Sequence, residues 1–483
     1  MASKCKNFIG GQLKDSHAAD WLDVTNPATG EVLAELPLAT AQEVDDAVAS
    51  AQRALATWGE TPVVERARVL FRFKQKLEES RDELARLVVL DNGKTLAEAH
   101  GDVQRGIEVV EFATGIPSHS MGTVVEDVAQ GIDSEMFRQP LGVVAGFTPF
   151  NFPVMVPLWM VPVAVACGNT FVLKPSERAP LAAIRLAELF AACGAPEGVL
   201  NVVQGTRAVA ERLMAHPQVR AVSVVGSSPV AKHVYATAAA QGKRVQALGG
   251  AKNALIVLPD ANLQSTVESI VSSAFGCAGQ RCLAGSNVVA VGDIADPLAK
   301  ELAAAASNLK LGSGLDSATK MGPVITAQAK DRVHGYIEDG VRAGARLVRD
   351  GRKDRVPDWP NGYFVGPAIF DEARPDMPIS RDEIFGPVLV ILRVQDLDAA
   401  IELVNSSPFG NSASLYTSSG AAARDFRRRI EAGMLGVNIG VPAPMAFFPF
   451  SGWKGSFFGD LHAQGKDAIE FYTRRKVVTS RWA

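Results

Sequence analysis

Apolar residues recur at helical spacing early in the chain. Val44, Ala47, Val48, Ala51 and Leu55 share one helical face, and Thr40 followed by Glu43 forms a capping-box pattern ahead of them. Two further periodic runs, over 64–90 and 95–113, predict more helix. After Met121 the period changes. The segment TVVEDVAQGIDSEMFRQP alternates around Gly131 and predicts two strands joined by a turn. From residue 141 onward, short apolar runs (GVVAGFTP, NTFVLKPS, LNVVQG, AVSVVGSS) alternate with helical stretches such as LAAIRLAELFAACG. A second series begins near residue 254 with ALIVLPDA, SNVVAVG, FVGPAIF, VLVILRV, ASLYTS and MLGVNIG. This alternation predicts an α/β protein with two parallel-sheet domains in tandem. The closing EFYTRRKVVTSRW alternates as a strand, suited to pair with 121–140 across a subunit contact.

Composition narrows the class. Of 483 residues, 47% are apolar and 21% charged, which supplies a large core and excludes a disordered chain. With 49 basic and 52 acidic residues, the net charge of −3 gives no field for nucleic acid or an anionic membrane. The opening MASKCKNFIGGQLKDS lacks the apolar stretch of a signal peptide. The most apolar segment, 152–167, is too short to span a bilayer and is interrupted by Pro153, Pro157 and Pro162. The expectation is a cytoplasmic globular enzyme acting on a small molecule, without nucleic-acid or membrane partners. Cys5, Cys167, Cys193, Cys277 and Cys282 form no disulfide framework, and with seven scattered histidines they form no metal pattern.

No strand-to-helix turn carries GxGxxG. Gly312-Ser313-Gly314 lacks the third glycine and sits outside a βαβ unit. The turn Gly226-Ser227-Ser228 is better suited to a pyrophosphate, because it joins a strand to a helix whose first N–H groups lack helical partners. Cys282, in GCAGQRCLAG, is the candidate nucleophile, with small neighbours that leave room for a substrate. A free thiol has a pKa of about 8.5, and Arg281 or a helix end is expected to lower it. Cys277 reads as a small buried apolar residue, and no histidine is nominated as the thiol's base.

PFNFP (149–153), LKPSERAP (173–180), VVGSS (224–228), GQRC (279–282) and EIFGPV (383–388) follow one another in this order. Together they resemble the aldehyde dehydrogenase superfamily, over nearly the whole chain. The resemblance implies two doubly wound α/β domains with a small β oligomerisation element. It assigns 1–120 and 141–249 to NAD binding, 250–462 to catalysis, and 121–140 with 463–483 to a homodimer or homotetramer contact. By the same resemblance Cys282 attacks the aldehyde, and Asn151 with the Cys282 N–H stabilises the oxyanion. Lys174 and Glu177 meet the adenosine ribose, which favours NAD over NADP, and Gly226 and Ser227 meet the pyrophosphate. Phe150, Glu383 and Phe385 complete the cofactor site.

One departure narrows the function. Hydrolytic members carry a glutamate in an ELGGK-like stretch, whereas this chain reads QALGGAKNALIVLPD. Aligning Lys252 and Asp260 puts Leu248 at the glutamate position, and aligning the glycines puts Ala247 there. Neither moves a proton, so a thioester would resist water and await a thiol. GKTLAEAHGDVQRG, GKRVQALGGAKN and EFYTRR resemble the CoA-acylating methylmalonate-semialdehyde dehydrogenase branch, with coenzyme A as co-substrate. There Arg105 and Arg281 match two arginines that grip the substrate carboxylate. The alternatives are a hydrolytic semialdehyde dehydrogenase that releases a free acid, and a catalytically silent protein on the same fold.

Overall fold

The strand–helix alternation resolves into two large sheets in the computed structural model, which describes residues 3–482. The first runs Phe457–Phe458, Arg244–Leu248, Val219–Val225, Val143–Phe147, Thr170–Lys174, Leu200–Val202, Asn7–Ile9, Gln12–Lys14. Its five central strands are parallel and its outer ones antiparallel. The second runs Arg346–Arg349, Ala368–Asp371, Val388–Val394, Gly285–Val291, Asn253–Val257, Ser412–Tyr416, Met434–Val437, parallel except at its first strand. The chain crosses from one sheet to the other in a four-residue link, between Leu248 and Asn253. The C-terminal ends of the first sheet's strands therefore meet the N-terminal ends of the second's, and the resulting cleft holds the candidate site.

Local sequence explains most of the elements. Helix Ala41–Trp58 starts at Thr40 with the full capping box, and Thr95 and Glu98 repeat it ahead of Leu96–Thr114. The periodic run 64–90 is two helices, Val63–Glu79 and Arg81–Asn92, because Ser80 leaves helical geometry at φ −99°, ψ 12°. Helix Met155–Ala166 is buried at every position, as expected of a helix apolar all round. Among the described residues no helix is long and apolar enough to cross a membrane. The short strands Asn7–Ile9, Gln12–Lys14 and Phe457–Phe458 carry too few residues for a periodic signal, and they extend the first sheet at both edges.

The hairpin Thr123–Ala129 and Ile132–Pro140 forms as its alternation predicts. The closing strand Thr473–Arg481 pairs with it from Thr473↔Pro140 to Arg481↔Ile132, within one chain rather than between chains. The buried Asn169 is the physical reason. Its Oδ1 accepts from the N–H groups of Leu141 and Gly142, and its Nδ2 donates to Tyr472 O. The end of the hairpin is thus pinned beside the start of the last strand.

Two buried acids lie beneath the cleft. Asp102 pairs with Lys94 at 2.8 Å and accepts the Met155 N–H at 2.7 Å, and the Lys94 ammonium rests 3.7 Å from the Phe152 ring. Asp91 accepts the Leu181 N–H at 2.9 Å, but its Oδ1 has no partner. Burial pushes the Asp91 carboxyl up to about 8. Since that lies above its unfolded value, stability is fully present in acid and is lost as pH rises from about 4 to about 8. Asp91→Asn is therefore expected to melt several degrees above the parent at pH 8.5, with the gap closing towards pH 4. A gap independent of pH in differential scanning fluorimetry would refute this account.

Candidate active site

Between helix Leu263–Phe275 and strand Gly285–Val291 the chain folds into a tight loop that carries Cys282. Cys277 and Ala278 (each φ 52°) and Gly279 (φ 70°) are consecutively left-handed, a conformation that side chains resist. Side chains from distant segments hold it. Glu98 accepts the Cys277 N–H at 2.6 Å, and Asn151 Nδ2 donates to Gln280 O at 3.0 Å. Asn253 and Asn411 both donate to Cys282 O, each at 2.8 Å. The thiol-bearing residue is thereby fixed at its own backbone. Cys277 is 7% exposed, as a buried apolar residue should be, whereas Cys282 is partly open.

The Cys282 side chain opens on a cavity of about 230 Å³ that is also lined by Arg105, Arg281, Phe152, Trp159 and Phe450. Arg105 lies in helix Leu96–Thr114, pairs with Glu108 at 2.7 Å, and donates to the Pro444 carbonyl. Arg281 donates to the carbonyls of Ser272 and Ser273, and its buried Nε has no partner. It reaches that position over Gly276, where a Cβ would lie 2.1 Å from the guanidinium. The cavity thus joins the thiol to two guanidiniums, one of them already shared with a carboxylate.

The acids around this cavity are committed. Glu98 accepts from the Cys277 N–H and, through its second oxygen, from the Thr95 N–H; Asp102 serves Lys94 and Met155; Glu108 serves Arg105. Leu248, 4% exposed, packs in the apolar cluster that Cys282 joins, whereas Ala247 packs in a cluster on the opposite face of the sheet. Of the two alignments left open by the sequence, the one that assigns Leu248 to the glutamate position therefore has the residue on the thiol's side.

The expected lowering of the Cys282 pKa is not found. Burial pushes the thiol up to about 12, the Glu383 carboxylate adds to the rise, and Arg281 only partly opposes it. Desolvation outweighs one nearby cation whose charge is spent on carbonyl groups.

On the other side of the cleft, Lys174 and Glu177 pair at 3.0 Å and line a second cavity of about 510 Å³. Burial raises Glu177, but the Lys174 charge and hydrogen bond outweigh it and keep the carboxylate ionised. Gly226 ends strand Val219–Val225, and Ser227 caps helix Ser228–Ala240 without using its hydroxyl. That hydroxyl and the helix's first N–H groups are free for an anion. Glu383 accepts the Ala251 N–H at 3.0 Å beside Gly250, where a Cβ would lie 2.3 Å from its carboxylate. Phe385 (φ 54°) meets Phe150 edge to face at 5.8 Å. An acid that can accept from ribose hydroxyls, a free anion-binding turn and an aromatic pair fit a dinucleotide. Among the described residues no group of three or more His, Cys, Asp or Glu is placed to hold a metal.

Of the residues singled out in the sequence, Cys282, Arg105 and Arg281 share one cavity, Lys174 and Glu177 line a second, and Glu383 and Phe385 line a third. The loop clamps Glu98, Asn253 and Asn411 carried no sequence signal, because each reaches the loop from elsewhere in the chain.

The aldehyde dehydrogenase family model matches residues 13–478. Malonate-semialdehyde dehydrogenase 2 of Geobacillus kaustophilus (strain HTA426) is 60% identical over 478 residues, which cover 99% of this chain and 98% of that protein. Malonate-semialdehyde dehydrogenase of Halalkalibacterium halodurans is 57% identical, over 99% and 98% of the two chains. Among solved structures, methylmalonate-semialdehyde dehydrogenase (DddC) from Oceanimonas doudoroffii is 48% identical with a TM-score of 0.98, covering 100% of this chain and 99% of its own. A Sinorhizobium meliloti 1021 protein crystallised with NAD is 44% identical with a TM-score of 0.99 and the same coverage.

The raised thiol makes a direct prediction. Iodoacetamide should label Cys282 before Cys277, and the rate should still climb about tenfold per pH unit between pH 8 and 10. A plateau near pH 9, read by peptide mass spectrometry, would contradict the burial of this sulfur.

Proposed function

The chain belongs to the aldehyde dehydrogenase family, and from that premise we propose that it oxidises malonate or methylmalonate semialdehyde with NAD and delivers the acyl group to coenzyme A. The relatives at 57–60% identity carry the malonate name, and the Oceanimonas structure carries the methylmalonate name. The observation that carries the coenzyme A reading is Leu248. An apolar side chain packs on the thiol's side at the position of a proton-moving residue, while the cavity's acids are bonded elsewhere.

The chemistry follows from the cleft. NAD, when bound, supplies the hydride acceptor, and we assign it to Phe150, Lys174, Glu177, Gly226, Ser227, Glu383 and Phe385. The Cys282 thiolate adds to the aldehyde carbon, and the oxyanion takes hydrogen bonds from Asn151 Nδ2 and the Cys282 N–H. Donors aimed at developing charge in this way contribute about 3–4 kcal/mol each. Arg105 and Arg281 hold the carboxylate, which selects a semialdehyde over a plain aldehyde. After hydride loss a thioester joins the acyl group to Cys282 Sγ. The β-carboxyl group leaves as carbon dioxide or bicarbonate, and the carbanion left behind is stabilised by the thioester carbonyl until it takes a proton. Water attack on the thioester lacks a base, and such a loss costs about 10²–10⁴ in rate. A thiol needs less help, so coenzyme A takes the acyl group and frees Cys282. The products are acetyl-CoA from malonate semialdehyde and propionyl-CoA from methylmalonate semialdehyde.

We assign NAD binding to 1–120 with 141–249 and the nucleophile's domain to 250–462. The hairpin 121–140 and the segment 463–483 are left for contacts in a cytoplasmic homodimer or homotetramer. The exposed Val124, Val125, Val128 and Val477 on the hairpin and the closing strand, and Trp482 just after it, support that use.

Steady-state turnover of malonate semialdehyde and NAD should depend on coenzyme A and yield acetyl-CoA. Equal turnover without it, with free acid as product, would favour the hydrolytic alternative. Cys282→Ala should abolish NADH formation while Cys277→Ala retains it. Loss in neither variant would remove Cys282 from the chemistry.

A further inference from the structure

Gln464 is held at a cost that the fold does not explain. It stands at φ 69°, ψ 173°, just ahead of helix Gly465–Tyr472, in a conformation that strains a residue with a side chain. The side chain is 4% exposed and lines the cavity of Cys282, Arg105 and Arg281. Its Oε1 has no hydrogen-bond partner among the described residues. That oxygen has no open surface, so the end left for a ligand in the cavity is Nε2, which makes no hydrogen bond among the described residues. A buried amide without a partner is unfavourable, and a leucine or methionine would fill this space without that penalty. The unused Nε2 donors are accounted for if their partner is a ligand in the cavity.

The ligand's chemistry follows from what surrounds the amide. Arg105 is half-neutralised by Glu108, and Arg281 spends its terminal nitrogen on two carbonyls. Both terminal nitrogens of Arg105 are engaged, so a carboxylate, with about four acceptor positions, has room for a further donor group beside Arg281. The remaining wall near the thiol is aromatic, from Phe152, Trp159 and Phe450. We propose that Gln464 is a specificity-determining residue whose side-chain N–H₂ donates to the substrate carboxylate, completing a three-point grip with Arg105 and Arg281. This deepens the semialdehyde reading and rests on it. A neutral third donor fixes the carboxylate's direction without adding charge beside the thiolate.

The test uses the full-length enzyme with saturating NAD and coenzyme A. Gln464→Met should raise KM for malonate semialdehyde by about tenfold or more, as expected for a lost hydrogen bond to a charged group. Its kcat, and the KM for propanal, which lacks the carboxylate, should stay within about twofold. Gln464→Glu, of the same shape, should raise the semialdehyde KM further through repulsion and serves if the methionine variant fails to fold. Malonate, a non-reacting dicarboxylate, should protect Cys282 from iodoacetamide in the parent, and about tenfold more should be needed in Gln464→Met. Equal losses for both aldehydes, or unchanged KM and protection, would overturn the assignment. A parent enzyme that does not prefer malonate semialdehyde to propanal would instead overturn the semialdehyde reading. A parent that keeps this preference in both variants overturns the role of Gln464 alone.

Discussion

The site depends on a loop bent against its own preference. Cys277, Ala278 and Gly279 are left-handed in succession, and the bend persists because Glu98, Asn151, Asn253 and Asn411 each bond a backbone atom of the loop. Those four side chains come from a helix, a turn, the start of a strand and the link ahead of another. The loop can therefore keep its shape only when both sheets are assembled around it. This gives the sulfur a fixed direction into the cleft, and the cleft's two cavities inherit their geometry from it.

The same packing sets the electrostatics. Drawing Cys282 into an apolar cluster with Leu248 removes water from the sulfur, which raises the thiol. A thiol held protonated is slow to react with stray electrophiles, and activation then falls to whatever fills the cleft. Glu383 acts in the same direction, since its carboxylate disfavours a second negative charge nearby. An apolar residue at position 248 and suppression of the free thiolate thus both belong to one desolvated corner.

Much of this was legible in the sequence, for reasons that can be named. The Thr40–Glu43 capping box is a local interaction, so three residues suffice to read it. The two series of apolar strands declare parallel sheets because strands buried on both faces leave no polar alternation. Cys282, Asn151, Glu383 and the two arginines were singled out because their neighbours form short recognisable words. Asn411 and Gln464 had no such words around them, and the word around Asn253 did not single it out. Their importance lies in what they bond, or fail to bond, across the fold, and no local window contains that information. The expectation for the thiol failed in the same way, since Arg281 is adjacent in sequence while the burial that outweighs it comes from other segments. The in-chain pairing of the last strand was hidden because Asn169, which enforces it, is separated from Tyr472 by 303 positions.

That amide has a consequence for biosynthesis. Until the segment that carries Tyr472 has been made, the Nδ2 of Asn169 can reach the carbonyl of Ala164 but not that of Tyr472. The link between the first sheet and the sheet of 123–140 and 473–481 thus closes only after residue 472 has been made. A nascent chain released early would leave Ile132–Pro140 with an unpaired edge, open to strands of other molecules.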